Sequence, residues 1–402
     1  MMACLLQTAW AERPDPRVAL MRAPRTGGPV VALKDIQQDS GNFKRRYLIT
    51  DLGSLGGSET FAYAINEDAQ VVGMARLAGD TASHAVMFAG GRTTDLFPLN
   101  SEHVQTVGPT GINNTGIVAS GVISGGVYAP VLMDTRNGSL LVLPCLGGVT
   151  SFNFNGVATA VNSSGDAAGY CHVDANSRHA FIHSNGVTTD IDAFGGQSAA
   201  LDLNDHGAAT GFTTSPAGID GDTAFIYQDG TMKELFPGVA SFGRGINNRG
   251  QVVGEVARAN GHWHGFLYSS GVVTDIGSGD SPDTVAFAIN DNEQIVGRTL
   301  LTFASTCPSG PCTVSEDFAF IWEGGRMAIL DSLIAPHLDW KVTWAFDINN
   351  KGQIVGYGER AGKFRAFLMT PAVSQQQCRN EGWKKFEFKS QGDCVAFVLT
   401  GQ

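Results

Sequence analysis

Short apolar runs, separated by polar residues and Gly, fill most of the chain and recur in the same order. Each repeat begins with an Ile-Asn step or a close variant, followed by a polar turn and a run such as Val-Val-Gly. In the clearest copy these are Ile246-Asn247, a turn that ends at Gly250, and residues 252–254. Further apolar runs cover residues 265–268 and 272–276. Runs of about five β-branched and aromatic residues bounded by Gly predict four short strands in each repeat.

The Ile-Asn step occurs seven times, with spacings of 42 to 59 residues between successive Asn residues. That length matches one four-stranded propeller blade of roughly 40–45 residues. We therefore predict an all-β fold, a seven-bladed β-propeller over residues 46–371. The repeated asparagines are Asn66, Asn113, Asn162, Asn204, Asn247, Asn290 and Asn349.

The two ends of the repeat region are complementary. The last repeat stops after the strand at residues 364–369, whereas residues 46–52 form an unmatched strand before the first repeat. That strand resembles the fourth strands at residues 93–96 and 187–191. We predict that residues 46–52 complete the seventh blade and leave no open seam in the ring.

The repeated Asn is typical of the first position of a type I turn, with a Gly at positive φ three residues later. Ala69 and Glu293 replace that Gly in two copies, so those turns should be strained or of another type. A ring of asparagines around a ligand is the less favoured alternative. His84, His179 and His264 share one position in the third strands. We interpret them as hydrogen-bonded imidazoles packed between blades rather than as an axial metal site.

Composition narrows the possible partners. The formal net charge is −11, and nucleic acids and anionic membranes both attract basic surfaces. No apolar run approaches the roughly 18 residues that a membrane-spanning helix needs. We expect a monomer that binds neither nucleic acid nor a bilayer.

Cysteine usage favours an oxidising compartment. Setting aside Cys4, the sequence pairs Cys145 with Cys171, Cys307 with Cys312 and Cys378 with Cys394. Residues 1–45 contain a short apolar stretch that ends at Ala9-Trp10-Ala11, followed by a linker rich in Pro, Arg and Gly. A leader remnant and a disordered cytosolic tail both fit the first segment. The cysteines favour a secreted, periplasmic or cell-surface protein.

The C-terminal residues 372–402 depart from the repeats. Apolar residues alternate at 383, 386 and 388 and again at 395, 397 and 399. This spacing predicts a small β-hairpin clamped by Cys378 and Cys394. A surface-attachment role and a stabilising cap are both open for this tail.

The repeats resemble a known family, the HAF repeats of bacterial extracellular proteins. The resemblance rests on residues 50–57 (Thr-Asp-Leu-Gly-Ser-Leu-Gly-Gly), residues 246–254 and His179-Ala180-Phe181, and it covers about residues 47–370. The second repeat departs most, with Ala129-Pro130 in place of His-Ala. The resemblance implies export and a repeat-built β structure, and it carries over no activity and no catalytic residue.

A ligand site is expected on the propeller face that carries the long loops, at residues 74–83, 97–109, 212–222, 299–316 and 331–345. Aromatic rings beside polar donors suit carbohydrate or peptide binding. Two acidic residues, Asp220 and Asp222, are too few for a firm calcium site, and no cofactor is expected otherwise. The candidate ligand-binding residues are Trp263, Trp340, Trp344, His262, Arg244 and Arg258.

The sequence shows no clear constellation of nucleophile, acid and base. We therefore predict a non-catalytic extracellular binding, adhesion or scaffold protein whose ligand is a glycan or a peptide. The alternative is an enzyme, a polysaccharide lyase or hydrolase, that uses the axial funnel. It would require clustered carboxylates, His or Arg from several inner strands at the loop face. Asp202, Arg244 and Asp347 lie near the inner strands, but Asp202 and Asp347 sit beside the turn motif and are expected to serve structure.

Overall fold

The computed structural model describes residue 43 and residues 45–96, 104–106, 108–124, 127–146, 156–174, 177–214, 221–277, 283–307 and 310–401. Its strands form antiparallel sheets arranged as a closed ring of seven blades, which confirms the predicted all-β propeller. Residues 1–42, within the predicted leader and linker, lie outside the described residues. Phe43 is buried in the core between blades 6 and 7, and Arg45 pairs with Glu323, so the folded region begins slightly before residue 46.

The N-terminal strand and the first four blades have the following bounds. Strand β1 is Tyr47–Asp51, and blade 1 contains β2 (Gly56–Ile65), β3 (Val71–Leu77), β4 (Ser83–Ala89) and β5 (Arg92–Asp95), with a 3-10 turn at Ala78–Asp80. Blade 2 contains β6 (Val104–Thr106) and β7 (Gly111–Ile112), which both pair with β8 (Ile117–Ser124), then β9 (Val127–Asp134) and β10 (Ser139–Val142). Blade 3 contains β11 (Gly156–Val161), β12 (Ala167–His172), β13 (Arg178–Ser184) and β14 (Val187–Asp190). Blade 4 contains β15 (Ser198–Leu203), β16 (Ala209–Thr214), β17 (Asp222–Gln228) and β18 (Thr231–Glu234).

The last three blades follow the same order. Blade 5 contains β19 (Ser241–Ile246), β20 (Val252–Ala257), β21 (Trp263–Ser269) and β22 (Val272–Asp275). Blade 6 contains β23 (Asp283–Ile289), β24 (Ile295–Cys307), β25 (Gly310–Glu323) and β26 (Arg326–Ile329), followed by a 3-10 helix at Leu330–Leu333. Blade 7 contains β27 (Lys341–Ile348), β28 (Ile354–Arg360), β29 (Lys363–Pro371) and the N-terminal β1.

Ring closure occurs as predicted. Strand β1 pairs antiparallel with β29 from Tyr47 opposite Pro371 to Asp51 opposite Phe367. The Asp51 carboxylate also accepts hydrogen bonds from Arg365 on β29, at 3.1 and 3.3 Å. The first and last segments of the propeller are therefore joined by both backbone and side-chain bonds within one sheet.

The repeated Asn residues hold the turns and also join the blades. The Oδ1 atom of Asn247 accepts hydrogen bonds from the backbone N of Arg249 and of Gln251, as the predicted turn requires. Its Nδ2 atom donates to the backbone O of Asn290 in the next blade. All seven copies make this link, at 2.9–3.2 Å, and the link from Asn349 to Asn66 closes the ring. The side-chain amides are thus used by the protein itself.

The third-strand histidines are hydrogen-bonded, as predicted, and their partners lie within the same blade. Nδ1 of His84 lies 2.7 Å from Asp95, and Nδ1 of His179 lies 2.7 Å from Asp190. The pair of His264 and Asp275 repeats the geometry at 2.9 Å. Each Asp lies on the adjacent fourth strand, so the pair ties the outer two strands of a blade together.

The blade interfaces are filled by a repeated aromatic residue of the third strand. Phe181, Phe225, Phe266, Phe320 and Phe367 are each fully buried. Each such ring contributes roughly 1.5–3 kcal/mol by leaving water. The Gly of the Val-Val-Gly run makes this packing possible, because a Cβ at Gly254 would lie 1.9 Å from the Phe242 carbonyl oxygen and 3.0 Å from the Phe266 ring.

Disulfides reinforce the ring at two described places. Cys145 follows blade 2 and is bonded to Cys171 on β12 of blade 3, with Cα atoms 5.7 Å apart. Cys378 is bonded to Cys394 in the C-terminal segment. Cys312 is also disulfide-bonded, and the side chain of its predicted partner, Cys307, lies outside the described residues.

The predicted C-terminal β-hairpin is wrong, because the segment is helical. It contains a 3-10 turn (Gln375–Cys378), helix α1 (Gly382–Lys385) and helix α2 (Gln391–Thr400). Ser390 caps α2 by accepting a hydrogen bond from the backbone N of Asp393, and Gly401 ends it with φ 79°. The buried residues of α2 are Cys394 and Phe397, which have helical spacing, while Leu399 is exposed. The apparent alternation at 395, 397 and 399 therefore did not mark a strand.

We expect the Ala69→Gly variant to be more stable by about 0.5–1 kcal/mol, because Ala69 has φ 57° and a non-Gly residue is strained there. The turn keeps its bond from the Ala69 N to the Asn66 O. Denaturant unfolding would measure the change. Gly250→Ala is the matched control: Gly250 has φ 71° and its nearest neighbour is 3.8 Å away, so this variant should lose about 1 kcal/mol. Equal stabilities for Ala69→Gly and the wild type would contradict the strain.

Candidate functional site

A cavity of about 220 Å³ lies on the propeller axis at the face of the Asn turns. Its lining includes five carboxylates, and each accepts a backbone hydrogen bond from another blade. Asp202 accepts from Ile246 N and Asp347 accepts from Ile65 N. These contacts join blades, so Asp202 and Asp347 serve the structure, as expected from their position beside the turn motif. The five acidic residues are Glu67, Asp202, Asp205, Asp291 and Asp347.

The axial channel is filled at mid-depth by one residue from each inner strand. In six blades this residue is the extra residue of a β-bulge, which turns its side chain out of the regular alternation. Thr110 takes the equivalent place in blade 2. All seven side chains are at most 5% exposed: Tyr63, Thr110, Thr159, Leu201, Arg244, Phe287 and Phe346.

Arg244 is the charged member of this set. Its Nη2 lies 2.5 Å from Oε1 of Glu255 on β20, and its guanidinium lies 5.1 Å from the centroid of the Phe242 ring. Both partners of the ion pair are more than 90% buried. Among the described residues, Oε2 of Glu255 has no hydrogen-bond partner. A buried carboxylate oxygen without a hydrogen-bond donor costs folding free energy. The pair of Arg244 and Glu255 is therefore unusual for a packed core.

Asp283 lies beside this pair, at the contact between blades 5 and 6. Its Oδ1 accepts a hydrogen bond of 2.8 Å from the backbone N of Trp263 and lies 3.9 Å from Nδ1 of His262. Burial raises the pKa of Asp283, the charge of Glu255 also raises it, and the cations Arg298 and His262 oppose the shift. The site thus holds a carboxyl group with a raised pKa next to a carboxylate that is ion-paired.

A second cluster continues from blade 6 to blade 7. Arg298 lies 4.9 Å from the centroid of the Trp344 ring and is paired with Asp317 at 2.7 Å. The indole Nε1 of Trp344 donates to the other Asp317 oxygen at 3.2 Å. Burial raises the pKa of Tyr357, and the Asp317 charge adds to the rise. Tyr357 stacks on Trp344 at 5.9 Å, so charged and aromatic groups form one continuous surface.

Four of the predicted ligand-binding residues meet at this end of the channel. Trp263 and His262 contact Asp283, Arg244 pairs with Glu255, and Trp344 lies under Arg298. The other two lie elsewhere. Trp340 is buried in the core beneath blade 7, and Arg258 pairs with Asp275 at the outer edge of blade 5.

One of the two residues of the possible calcium site, Asp220, lies outside the described residues. The other, Asp222, is the first residue of β17. Within the described ranges, no group of three or more His, Cys, Asp or Glu side chains is arranged to hold a metal ion. None of the helices described has the length and apolar character needed to cross a bilayer.

Sequence reasoning missed Glu255, Asp283, Arg298 and Asp317. A usable pattern was present, since Glu255 and Arg298 occupy the position that follows the Gly of the Val-Val-Gly run. Other blades place Tyr170, Phe212 or Tyr357 there. Each of these residues pairs across the sheet with the inner strand, for example Glu255 with Phe242 and Arg298 with Val285. Charged residues at this one position in two adjacent blades distinguish the site from the regular repeat.

No protein-family model and no curated protein matches the chain. Solved structures of similar architecture do match. The β-propeller domain of the Trilobed protease from Pyrococcus furiosus is 12% identical, with 77% of this chain and 95% of that chain covered and a TM-score of 0.46. Oligogalacturonate lyase from Vibrio parahaemolyticus is 9% identical, with coverage of 80% and 93% and a TM-score of 0.46. A puromycin-hydrolyzing peptidase from Mycobacterium tuberculosis is 10% identical, with coverage of 84% and 52%, and a TM-score of 0.48.

These comparisons correct the prediction of a non-catalytic binding, adhesion or scaffold protein, and with it the expectation that the chain is not an enzyme. The propellers that match belong to peptidases and a lyase. At identities of 9–12% and TM-scores of 0.46–0.48, the likeness assigns neither an activity nor a substrate to this chain. Any activity must therefore be argued from the chain's own side chains.

We expect the Arg244→Met variant to lose about 3–5 kcal/mol of unfolding free energy, because Glu255 would become an uncompensated buried charge. The double variant Arg244→Met, Glu255→Gln should recover part of that loss. Denaturant unfolding of the single and double variants would give the coupling between the two residues. Additive effects, with no coupling above about 0.5 kcal/mol, would contradict the role of the pair.

Proposed function

We propose that the chain is an exported enzyme that hydrolyses a carbohydrate polymer at the loop end of the axial channel, between blades 5 and 7. Asp283 acts as the proton donor to the leaving sugar oxygen. Glu255 is the second carboxyl group, as base or nucleophile. This assignment needs two carboxyl groups in different environments, one kept protonated and one kept ionised.

The environment of Asp283 is the observation that carries the proposal. The residue is 5% exposed, and burial raises the pKa of its carboxyl group. A buried acid with a raised pKa beside other titratable groups is typical of a general acid. The contact with His262 occurs once in the chain, whereas the structural His-Asp pairs recur in three blades. The repeated architecture therefore does not require it.

Glu255 complements this acid. The Arg244 guanidinium binds one of its oxygens in a charged hydrogen bond. Its other oxygen, Oε2, is buried and has no hydrogen-bond partner among the described residues, so we assign to it the contact with a water molecule or a sugar carbon. One carboxyl group stabilised in each protonation state is the combination that acid-base hydrolysis of a glycosidic bond uses.

The aromatic side chains supply binding surface. Trp263, Trp344 and Tyr357 are partly exposed and lie next to the charged groups. Flat aromatic faces bind the apolar faces of sugar rings, and nearby polar donors fix their orientation. This combination favours a carbohydrate over a substrate without apolar faces.

Export is part of the proposal. The disulfides Cys145–Cys171 and Cys378–Cys394 support an oxidising compartment, since such bonds are rare in reducing cytosol. The resemblance to HAF repeats supports the same location. A secreted, periplasmic or cell-surface hydrolase would meet polymeric carbohydrate directly.

We expect Asp283→Asn to lower kcat by about 100-fold or more, because the amide cannot donate the proton. The measurement is the release of new reducing ends from a panel of soluble polysaccharides. Asp275→Asn is the matched control, since it removes the acid of a structural His-Asp pair in the adjacent blade. Cleavage by Asp283→Asn at the wild-type rate would refute the assignment. Unsaturated products would show that the reaction is an elimination and not a hydrolysis.

The pH profile should carry the signature of Asp283. Activity needs its protonated form, so it is present below the raised pKa and falls as pH rises through it. His262 opposes the rise in the pKa of Asp283, so His262→Ala should raise that pKa further. The alkaline limb of kcat/KM should therefore move to higher pH in this variant. An unchanged limb, or one displaced to lower pH, would show that Asp283 is not the titrating acid.

A further inference from the structure

Arg178, at the start of β13 in blade 3, is held between two aromatic rings. Its guanidinium carbon lies 5.2 Å from the centroid of Tyr170 and 5.2 Å from that of Phe212. Tyr170 belongs to blade 3 and Phe212 to blade 4, so the side chain bridges a blade interface. Rings on two sides restrict the rotamers of the guanidinium and fix its plane.

The guanidinium of Arg178 differs in its partners from those of Arg244 and Arg298. Among the described residues, no carboxylate lies within 4.0 Å of it, whereas Arg244 is paired with Glu255 and Arg298 with Asp317. Its Nε is buried and has no acceptor there. A partly buried guanidinium retains a strong preference for an anionic acceptor, and its planar donors match a carboxylate in a two-point contact.

A continuous strip of rings connects Arg178 with the proposed catalytic acid. Phe212 contacts Phe242 with centroids 5.4 Å apart, and Phe242 contacts Trp263 at 5.8 Å. The backbone N of Trp263 donates to Asp283. Phe212 and Phe242 are buried, so these packed rings fix the spacing between Arg178 and Asp283, and a polymer that passes over them would contact the two residues at different sugar units.

We propose that Arg178 is a substrate-binding residue that recognises the carboxylate of an acidic sugar unit, so that the polymer cleaved at Asp283 is a polyuronate. This inference rests on the proposed function. The formal net charge of −11 repels polyanions in general. Recognition of an acidic polymer must therefore come from cations held in place at the site. Arg178 meets this condition, because two rings hold its guanidinium and no carboxylate among the described residues is paired with it.

Binding to the Asp283→Asn protein, which should not turn over substrate, tests the inference. The probes are hexasaccharides of homogalacturonan and of alginate, each compared by calorimetry with its carboxyl-reduced neutral counterpart. An acidic hexasaccharide should bind about tenfold or more tightly than its neutral counterpart. Adding Arg178→Gln should remove that preference, because a charged hydrogen bond is lost. Arg178→Lys should restore only part of it, since Lys lacks the planar pair of donors.

Arg326→Gln is the control for net charge, because Arg326 is exposed at the start of β26 in blade 6. It should leave the preference unchanged, and thermal unfolding would verify that each variant is folded. Equal binding of acidic and neutral hexasaccharides, or an Arg178→Gln variant that keeps the preference, would overturn the inference. Wild-type cleavage of neutral polymers alone would overturn it and leave the proposed hydrolase intact. Failure to bind or cleave any polysaccharide would remove the proposed function as well.

Discussion

The hydrogen-bonded ring of asparagine side chains constrains the rest of the structure. Each amide must reach the carbonyl oxygen of the next Asn, so every inner strand ends at the same depth and angle on the axis. The ring is complete only if β1 closes blade 7 and brings Asn349 next to Asn66. Because this face is occupied by interactions of the protein with itself, variation is confined to the opposite end of the blades.

At mid-depth in the channel, equivalent positions carry different chemistry. The bulged position of the inner strand holds Tyr63 in blade 1 and Phe346 in blade 7, whose rings meet at 5.5 Å. The same position in blade 5 holds Arg244, which requires Glu255 as a buried counter-ion. Buried ion pairs gain little net stability over apolar packing. Glu255 in blade 5 and Arg298 in blade 6, at the position after the Gly of the Val-Val-Gly run, are therefore better explained by a functional role than by a contribution to folding.

The fold could be predicted because the sequence motif is repeated, whereas segments that depart from the repeat were harder to interpret. Seven copies in register predicted the blade count, the positions of the Asn turns and the closing strand correctly. The third-strand histidines were recognised as structural, but their partners lie on the neighbouring strand of the same blade. The C-terminal segment was misread because it occurs once. Three apolar positions with a spacing of two residues are too few to separate a strand from a helix. The cap at Ser390 and the burial of Phe397 identify the segment as a helix.

By itself the sequence determined the local structure: the strands, the Asn turns, the closing strand and the cysteines available for pairing. It did so because each depends on residues close in the chain or on a pattern repeated many times. Only the tertiary structure brought Asp283, Glu255 and Arg298 together, since they come from three different strands of two blades. Their spacing along the chain does not predict that they lie close together. Burial, which raises the pKa of Asp283, is a property of the assembled blades alone.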